Sequence, residues 1–371
     1  MRLLFVKLRH IGDALLLTPT LAAVKKALPR AEIWVVVRRG SEGILAGCPH
    51  IDELCTAMIP EHGAARDAHR GSDVQLVREL RAARFEHAFE LGGGDRGRWL
   101  VALSGARGRT TSVAARRFPK WWRHAFNRPS TTRRFGFHEV QRDYIAVSDV
   151  LPLPAEIPPL EFSPAAMQSW FPGDGLDDFA VIHAGTRWAN KAWLEERWIE
   201  TGRALLGRVS RVMLSSGPDP EEKALAARIR EALGPAAIST DGQTNWAQLA
   251  GLLRRARLFV GVDTAAMHLA AACQCPTVAL FGRSKLSEWY PWRVRHLVVR
   301  PQDWLGEDPH ADRSTAALMR QIPVERAVAA CDEVLAGGGV IRPEASSLVL
   351  AAQHRESQSA ESFAARAEGL E

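Results

Sequence analysis

Short apolar runs alternate along the chain with stretches of helical spacing. Residues 3–6 (LLFV) form the first run, a polar turn follows from Arg9 to Gly12, and Leu16, Leu17, Leu21, Val24 and Ala27 then recur at helical intervals. This predicts strand, loop and one helix over 13–27. A β-rich run, Ile33 to Val37, comes after Pro29, and Phe85 to Leu91 supplies another strand that ends at Gly92, Gly93 and Gly94. Strands alternating with helices predict a parallel α/β sheet.

The alternation stops at LPLPAEIPPLEFSP (151–164), where Pro152, Pro154, Pro158, Pro159 and Pro164 oppose a regular helix and favour an extended connector. It then restarts: strands are predicted over 179–185, 211–217, 258–263 and 277–282, with helices at 198–206, 220–233 and 265–273 between them. A chain of 371 residues exceeds the roughly 250–300 residues that one core serves, so two domains are expected, 1–155 and 165–336. A helix is expected over 324–335; Gly337, Gly338 and Gly339 then break the pattern, and 341–371 reads as a mobile tail.

Composition narrows the class. An apolar fraction of 46% with 24% charged residues suits a soluble globular protein, and no apolar run approaches the roughly 20 residues of a membrane helix. Lys7, Arg9, His10 and Asp13 interrupt the apolar start, which argues against a signal peptide. The 5 cysteines lack framework spacing, and Cys273 and Cys275 lie in an Ala-rich stretch that suits buried thiols rather than a metal site. The net charge of +6 points to an anionic partner. From Arg96 to Arg142 the cations Arg96, Arg98, Arg107, Arg109, Arg116, Arg117, Lys120, Arg123, Arg128, Arg133, Arg134 and Arg142 face one acid, Glu139.

Two stretches carry chemistry. Arg9-His10-Ile11-Gly12-Asp13 lies at the carboxyl end of the first strand, where open α/β sheets bind ligands, but it lacks the glycines of a dinucleotide fingerprint. Asp13 reads either as a base or as an acid favoured by the helix dipole. In LFVGVDTAAMHLAAACQCPTVALFG (258–282), Asp263 and Thr264 end a strand and start a helix, and the small Ala265 and Ala266 let a phosphate approach free backbone N–H groups. His268 either donates to that phosphate or bonds locally.

These segments, with HIGDALLLTPTLAAVKKALP and HAGTRWANKAWLEERW (183–198), resemble glycosyltransferase family 9, whose members include the lipopolysaccharide-core heptosyltransferases. The resemblance covers about residues 1–336 and implies a GT-B fold: two Rossmann-like domains with parallel sheets facing a central cleft, the donor bound by the second. It implies that Asp13 is the catalytic base, that Thr186 and Lys191 contact the donor phosphates, and that Asp263, Thr264, Ala265 and His268 form the donor-binding turn. Glu222 matches an acidic ribose contact, with Glu221 an equal candidate. Ala265 departs from the Asp-Thr-Gly of the heptosyltransferase I and II pattern. It is closer to the heptosyltransferase III branch, as is GGGDRGRWL (92–100).

The implied reaction is inverting transfer from ADP-L-glycero-D-manno-heptose, a substrate rather than a cofactor, to the anionic lipopolysaccharide inner core. The acceptor side is expected to use Arg9, His10, Asp95, Arg96, Lys120 and Arg123. The sequence holds no Asp-x-Asp pair for a divalent ion, so metal independence is expected. The basic stretch with Trp121, Trp122, Phe126, Phe135 and Phe137 reads as a nucleic-acid surface, a contact with an anionic membrane glycolipid or a solvated loop. No nucleic-acid motif is present, and the family favours peripheral contact, helped by Trp99 and Trp121, at the cytoplasmic face of the bacterial inner membrane. No protein partner is predicted. Transfer of another nucleotide sugar and an inactive nucleotide-sugar-binding protein remain the competing readings.

Overall fold

The structure, a computed structural model, describes residues 1–58, 70–111, 122–128, 130, 136–163, 178–304 and 314–341. Of the residues predicted to matter, Lys120, Trp121, Arg116, Arg117, Arg133, Arg134, Phe135, the side chain of Arg123 and the tail from 342 onward lie outside the described residues. The chain divides into two compact units, Met1–Pro158 and Pro159–Arg342, with the division inside the proline-rich connector.

In the first unit β1 (Arg2–Lys7) leads into α1 (Ile11–Leu15) and α2 (Thr18–Ala27), followed by β2 (Glu32–Arg38), β3 (Glu53–Ala57), α3 (Arg70–Ala83), β4 (His87–Glu90), α4 (Asp95–Leu103), β5 (Gly108–Thr111), α5 (Trp122–Ala125) and α6 (Glu139–Ser148). The strands make one 5-stranded parallel sheet in the order β3-β2-β1-β4-β5. After Arg2, β1 is buried throughout, as expected of a central parallel strand covered on both faces. One side of its core joins Leu4 and Val6 to Leu76, Leu80, Phe85 and Trp122.

The second unit contains β6 (Phe179–His183), α7 (Glu195–Leu206), β7 (Arg211–Leu214), α8 (Pro220–Leu233), β8 (Ala237–Ser239), α9 (Trp246–Arg255), β9 (Leu258–Val262), α10 (Ala265–Ala272), β10 (Thr277–Leu280), α11 (Leu286–Trp289), β11 (His296–Val299), α12 (Thr315–Arg320) and α13 (Val324–Leu335). Its 6-stranded sheet runs β11-β10-β9-β6-β7-β8 and is parallel throughout. Both sheets therefore reverse their strand order beside their first strand, between β1 and β4 and between β6 and β9. In doubly wound sheets the loops at the carboxyl ends of such a strand pair form the ligand crevice.

The sequence pattern differs from the structure in instructive places. The single helix expected over 13–27 is two, because Pro19 has no N–H to donate and fits only a first helical turn; the chain restarts at Thr18, whose hydroxyl donates to the Leu15 carbonyl at 2.9 Å. The strands at 211–217 and 277–282 end at Leu214 and Leu280, since their last residues turn into the loops of the crevice. The connector is tied down rather than loose: the Tyr144 hydroxyl donates to the Pro154 carbonyl at 2.6 Å, and Leu151, Leu153 and Ile157 are buried. Among the described residues no helix is long and apolar enough to cross a membrane. Cys273 and Cys275 are buried free thiols, and burial pushes Cys273 up to about 12.

Candidate active site

The crevice of the first unit is built on paired acidic and basic side chains. His10 stands in extended backbone ahead of α1, and its N–H donates to Asp13 Oδ2 at 3.1 Å, so Asp13 closes the first helical turn. Asp13 is 4% exposed; its Oδ1 accepts no hydrogen bond among the described residues and lies 3.5 Å from Arg9 Nε. Arg9 Nη1 donates to Glu139 Oε1 at 3.1 Å. That same oxygen accepts from Lys7 Nζ at 2.7 Å, and Lys7 also donates to Asp143 Oδ2 at 2.6 Å. Arg142 pairs with the other oxygen of Glu139. Burial draws the Lys7 ammonium below its ordinary value against the pull of Asp143 and Asp13, and pushes the Asp143 carboxyl up against the pull of Lys7.

Across the switch point, Glu90 at the end of β4 is fully buried. Its Oε1 accepts from the N–H groups of Gly92 and Gly93 at 2.9 and 2.6 Å, and Thr111 Oγ1 donates to Oε2 at 2.9 Å. Burial pushes its carboxyl above the ordinary range while the Thr111 bond opposes this. The glycine loop it holds passes close to the β1 loop: a Cβ on Gly92 would stand 3.2 Å from the Leu8 backbone nitrogen. The loop delivers Asp95, which is exposed and paired with Arg98 at 2.7 Å, and Arg96 to the first turn of α4.

In the second unit, Lys191 reaches from the loop after β6 to the loop after β9. Its ammonium donates to Asp263 Oδ2 at 2.7 Å and to the Asp263 carbonyl at 3.3 Å, and Ser284 Oγ donates to the same Oδ2 at 2.6 Å. Thr264 precedes α10 in extended backbone, but among the described residues its hydroxyl neither caps the helix nor makes another hydrogen bond. By contrast, α8 and α9 are capped by the side chains of Asp219 and Asn245. An uncapped N-terminus leaves donors and a positive helix end for an anion. Ala265 opens the helix without a left-handed backbone, so its methyl brings no backbone strain. His268, one turn on, is buried, with its ring 6.5 Å from that of Trp289.

Glu221 and Glu222, adjacent at the start of α8, differ in their packing. Glu222 Oε2 accepts from the Gly217 N–H at 2.9 Å, and a Cβ on Gly185 or Gly217 would come within 2.7 or 2.8 Å of that oxygen, so a side chain at either position would displace the Glu222 carboxyl. Glu221 points to solvent. Burial pushes the Glu222 carboxyl up, opposed by the Gly217 bond. Thr186 follows Gly185, and its Oγ1 accepts from the Trp188 N–H at 3.3 Å.

Among the expected acceptor residues, Arg9 is bound into the ionic cluster and His10 is exposed at the α1 start. Part of the basic stretch is structural rather than a surface: Arg142 neutralises Glu139, and Arg109 donates to the carbonyls of Ala125 and Ala106. Sequence reasoning did not single out Lys7, Glu90, Asp143 or Ser284 as site residues. Lys7 closing an otherwise apolar strand was the available signal; Glu139 was visible as the lone acid of the basic stretch, without its role.

Two Rossmann-like units with parallel sheets give the chain a fold of GT-B type, shared with solved heptosyltransferases. The model of Glycosyltransferase family 9 (heptosyltransferase) matches residues 74–316, more than half of the chain, and the chain belongs to that family. It is 27% identical over 342 residues to lipopolysaccharide heptosyltransferase 3 of Escherichia coli, covering 88% of this chain and 97% of the relative. It is 28% identical over 291 residues to lipopolysaccharide heptosyltransferase 1 of Pseudomonas aeruginosa, covering 76% and 79%. The structure of E. coli heptosyltransferase WaaC with ADP superposes with a TM-score of 0.72 over 90% of this chain and 100% of that one; at 18% identity this likeness establishes the shared fold.

Proposed function

We propose that the chain transfers heptose, with inversion, from ADP-L-glycero-D-manno-heptose to the anionic inner core of lipopolysaccharide, working at the cytoplasmic membrane face. The similarity to lipopolysaccharide heptosyltransferases supports the donor and acceptor class. The observation that carries the chemistry is Asp13: a buried carboxylate with one oxygen anchored by a backbone N–H and the other accepting no hydrogen bond. As the acceptor oxygen attacks the anomeric carbon, its O–H bond breaks and the proton passes to Asp13; the bond from the anomeric carbon to the phosphate oxygen breaks, and ADP leaves with that electron pair.

Charge builds on the leaving diphosphate, so fixed donors there stabilise the transition state above the ground state. Lys191, the uncapped α10 start with Thr264 and Ala265, and His268 serve that role in this reading, with Thr186 alongside. Asp263 acts through them, since its carboxylate already accepts from Lys191 and Ser284 and so orients the ammonium. Glu222 takes the ribose hydroxyls. No divalent ion is required, because Lys191 and the helix supply the positive field. Asp95 and Arg96, with Lys120 and Arg123, contact the anionic acceptor.

The test is ADP release from ADP-heptose with isolated core acceptor, comparing wild type with Asp13→Asn. A loss of about 10²- to 10⁴-fold in kcat is expected, the usual contribution of a positioned base. Full turnover by the Asn variant would remove Asp13 from the mechanism.

A further inference from the structure

Lys7 and Glu139 are buried, charged and unused by the reaction as written, and they come from elements far apart in sequence. Lys7 ends β1, a central strand whose other buried residues, Leu3 to Val6, are apolar, and Glu139 opens α6. A hydrophobic residue at Lys7 would suit the strand, and buried ion pairs are often no more stabilising than well-packed apolar replacements. Nor does α6 need Glu139 to start: His138 Nδ1 accepts from the Val140 N–H at 3.2 Å, and Gln141 Oε1 accepts from the His138 N–H at 2.9 Å. The Glu139 carboxylate is turned to β1 instead.

We infer that Glu139 and Lys7 are positioning residues for the base: the single oxygen Glu139 Oε1 holds Lys7 at 2.7 Å and Arg9 at 3.1 Å and thereby fixes both cations beside Asp13. This rests on the reading of Asp13 as the base. The chain of contacts runs Asp143, Lys7, Glu139, Arg9, Asp13, with Arg142 closing the second oxygen of Glu139. Lys7, Arg9 and Arg142 balance Asp13, Glu139 and Asp143, so the cluster is neutral while Asp13 is ionised. The charged groups of neighbouring elements have their own partners: Glu42 accepts from the Gly40 N–H, and Lys25 pairs with Asp52. Glu90, buried beside the Gly92 loop, accepts from the Gly92 and Gly93 N–H groups, with Arg98, itself paired with Asp95, at 4.0 Å. His10 is exposed beside Asp13. Oδ2 of Asp13 is fixed by backbone, and the Glu139–Arg9 arm sets how Oδ1 is presented to the acceptor hydroxyl.

The experiment is the pH profile of kcat for Glu139→Gln and Lys7→Met, with donor KM measured alongside. Glu139→Gln removes a negative charge near Asp13, so the acid limb moves to lower pH; Lys7→Met removes a positive one, so it moves to higher pH. Each lowers kcat by about tenfold and leaves donor KM within about twofold, as expected for an interaction used in the chemical step. A purely structural role gives no opposed pair of limb shifts. On the Asp13→Asn background neither substitution lowers the residual rate further, because residues acting through one group are not additive. Should Lys7→Met fail to fold, Lys7→Arg, which keeps the charge, must retain the wild-type limb, while Glu139→Gln still carries the test. A Glu139→Gln profile that superposes on wild type overturns the inference. If Asp13→Asn itself keeps turnover, the base assignment has failed instead, and the two failures are told apart.

Discussion

The two units share one sheet logic and use it for opposite electrostatic ends. At the first switch point buried charges meet others on the protein: Lys7, Arg9 and Arg142 stand against Asp13, Glu139 and Asp143, and Arg98 lies 4.0 Å from Glu90. At the second, Lys191 pairs with Asp263 beside a helix start that no side chain among the described residues caps. Self-neutralised clusters hold a group in place and suit a proton transfer, which needs one carboxylate fixed to a fraction of an ångström. An incompletely satisfied, positive site suits a ligand that brings its own negative charge and leaves with more of it.

The sharpest way to break that comparison is to remove the positive centre of the second unit. Lys191→Met is expected to lower kcat/KM for the donor by about 10²- to 10³-fold, the scale of a lost transition-state donor, while leaving the first unit's pH limb where it was. Steady-state kinetics against donor concentration read it directly. An effect below about tenfold would mean that the α10 start alone carries the diphosphate.

Acid stability separates the units next. His183 at the end of β6 is buried with Nδ1 3.0 Å from Ser215 Oγ, and His87 in β4 lies 2.8 Å from Thr110 Oγ1; burial pulls each imidazole down to about 4. An unfolded histidine takes its proton near 6.5, so between 6.5 and about 4 the unfolded chain binds more protons, and stability falls as the pH drops through that window. Each group contributes up to about 3 kcal/mol, from a shift of roughly 2.5 at 1.36 kcal/mol per pH unit. The raised carboxyls of Asp143 and Glu90 act with the opposite sign, since the folded chain protonates them more readily. Urea unfolding at pH 7 and pH 4.5 should therefore show an acid loss that His183→Gln and His87→Gln each reduce. Persistence of the full loss in both variants would locate the acid sensitivity outside these two histidines.

What was legible beforehand follows from how local each feature is. The strand–loop–helix turns at Asp13 and at Asp263-Thr264 are contiguous in sequence, and their apolar runs and breaks announce them. Lys191 was named from its segment, but its contact with Asp263, 72 positions away, exists only because β6 and β9 are neighbours in the sheet. The same holds for Lys7 and Glu139, 132 positions apart, which no period or motif connects. Pro19 marked the α1–α2 break in plain view, yet the helical spacing running through it masked the stop. Edge strands such as β3 and β8 are short and mixed in polarity, so they left little pattern to read.

The smallest expected effect concerns the pair that sequence could not separate, Glu221 and Glu222. Both lie in the first turn of α8, where either acid favours the helix N-terminus. Only Glu222 is turned into the crevice, its Oε2 against the Gly217 N–H and close to Gly185. If it holds the ribose hydroxyls, Glu222→Ala should raise donor KM by about tenfold, the scale of one charge-assisted hydrogen bond, with kcat changed by less than about threefold. Glu221→Ala should leave both constants near wild type and cost at most a few tenths of a kcal/mol in stability. The split matters for the comparison of the two units, because Glu222 is a half-buried carboxylate held by a backbone N–H rather than by a cation. A loss in kcat rather than in KM would make it part of the chemistry, the role proposed for Asp13 in the first unit, instead of part of the grip on the donor.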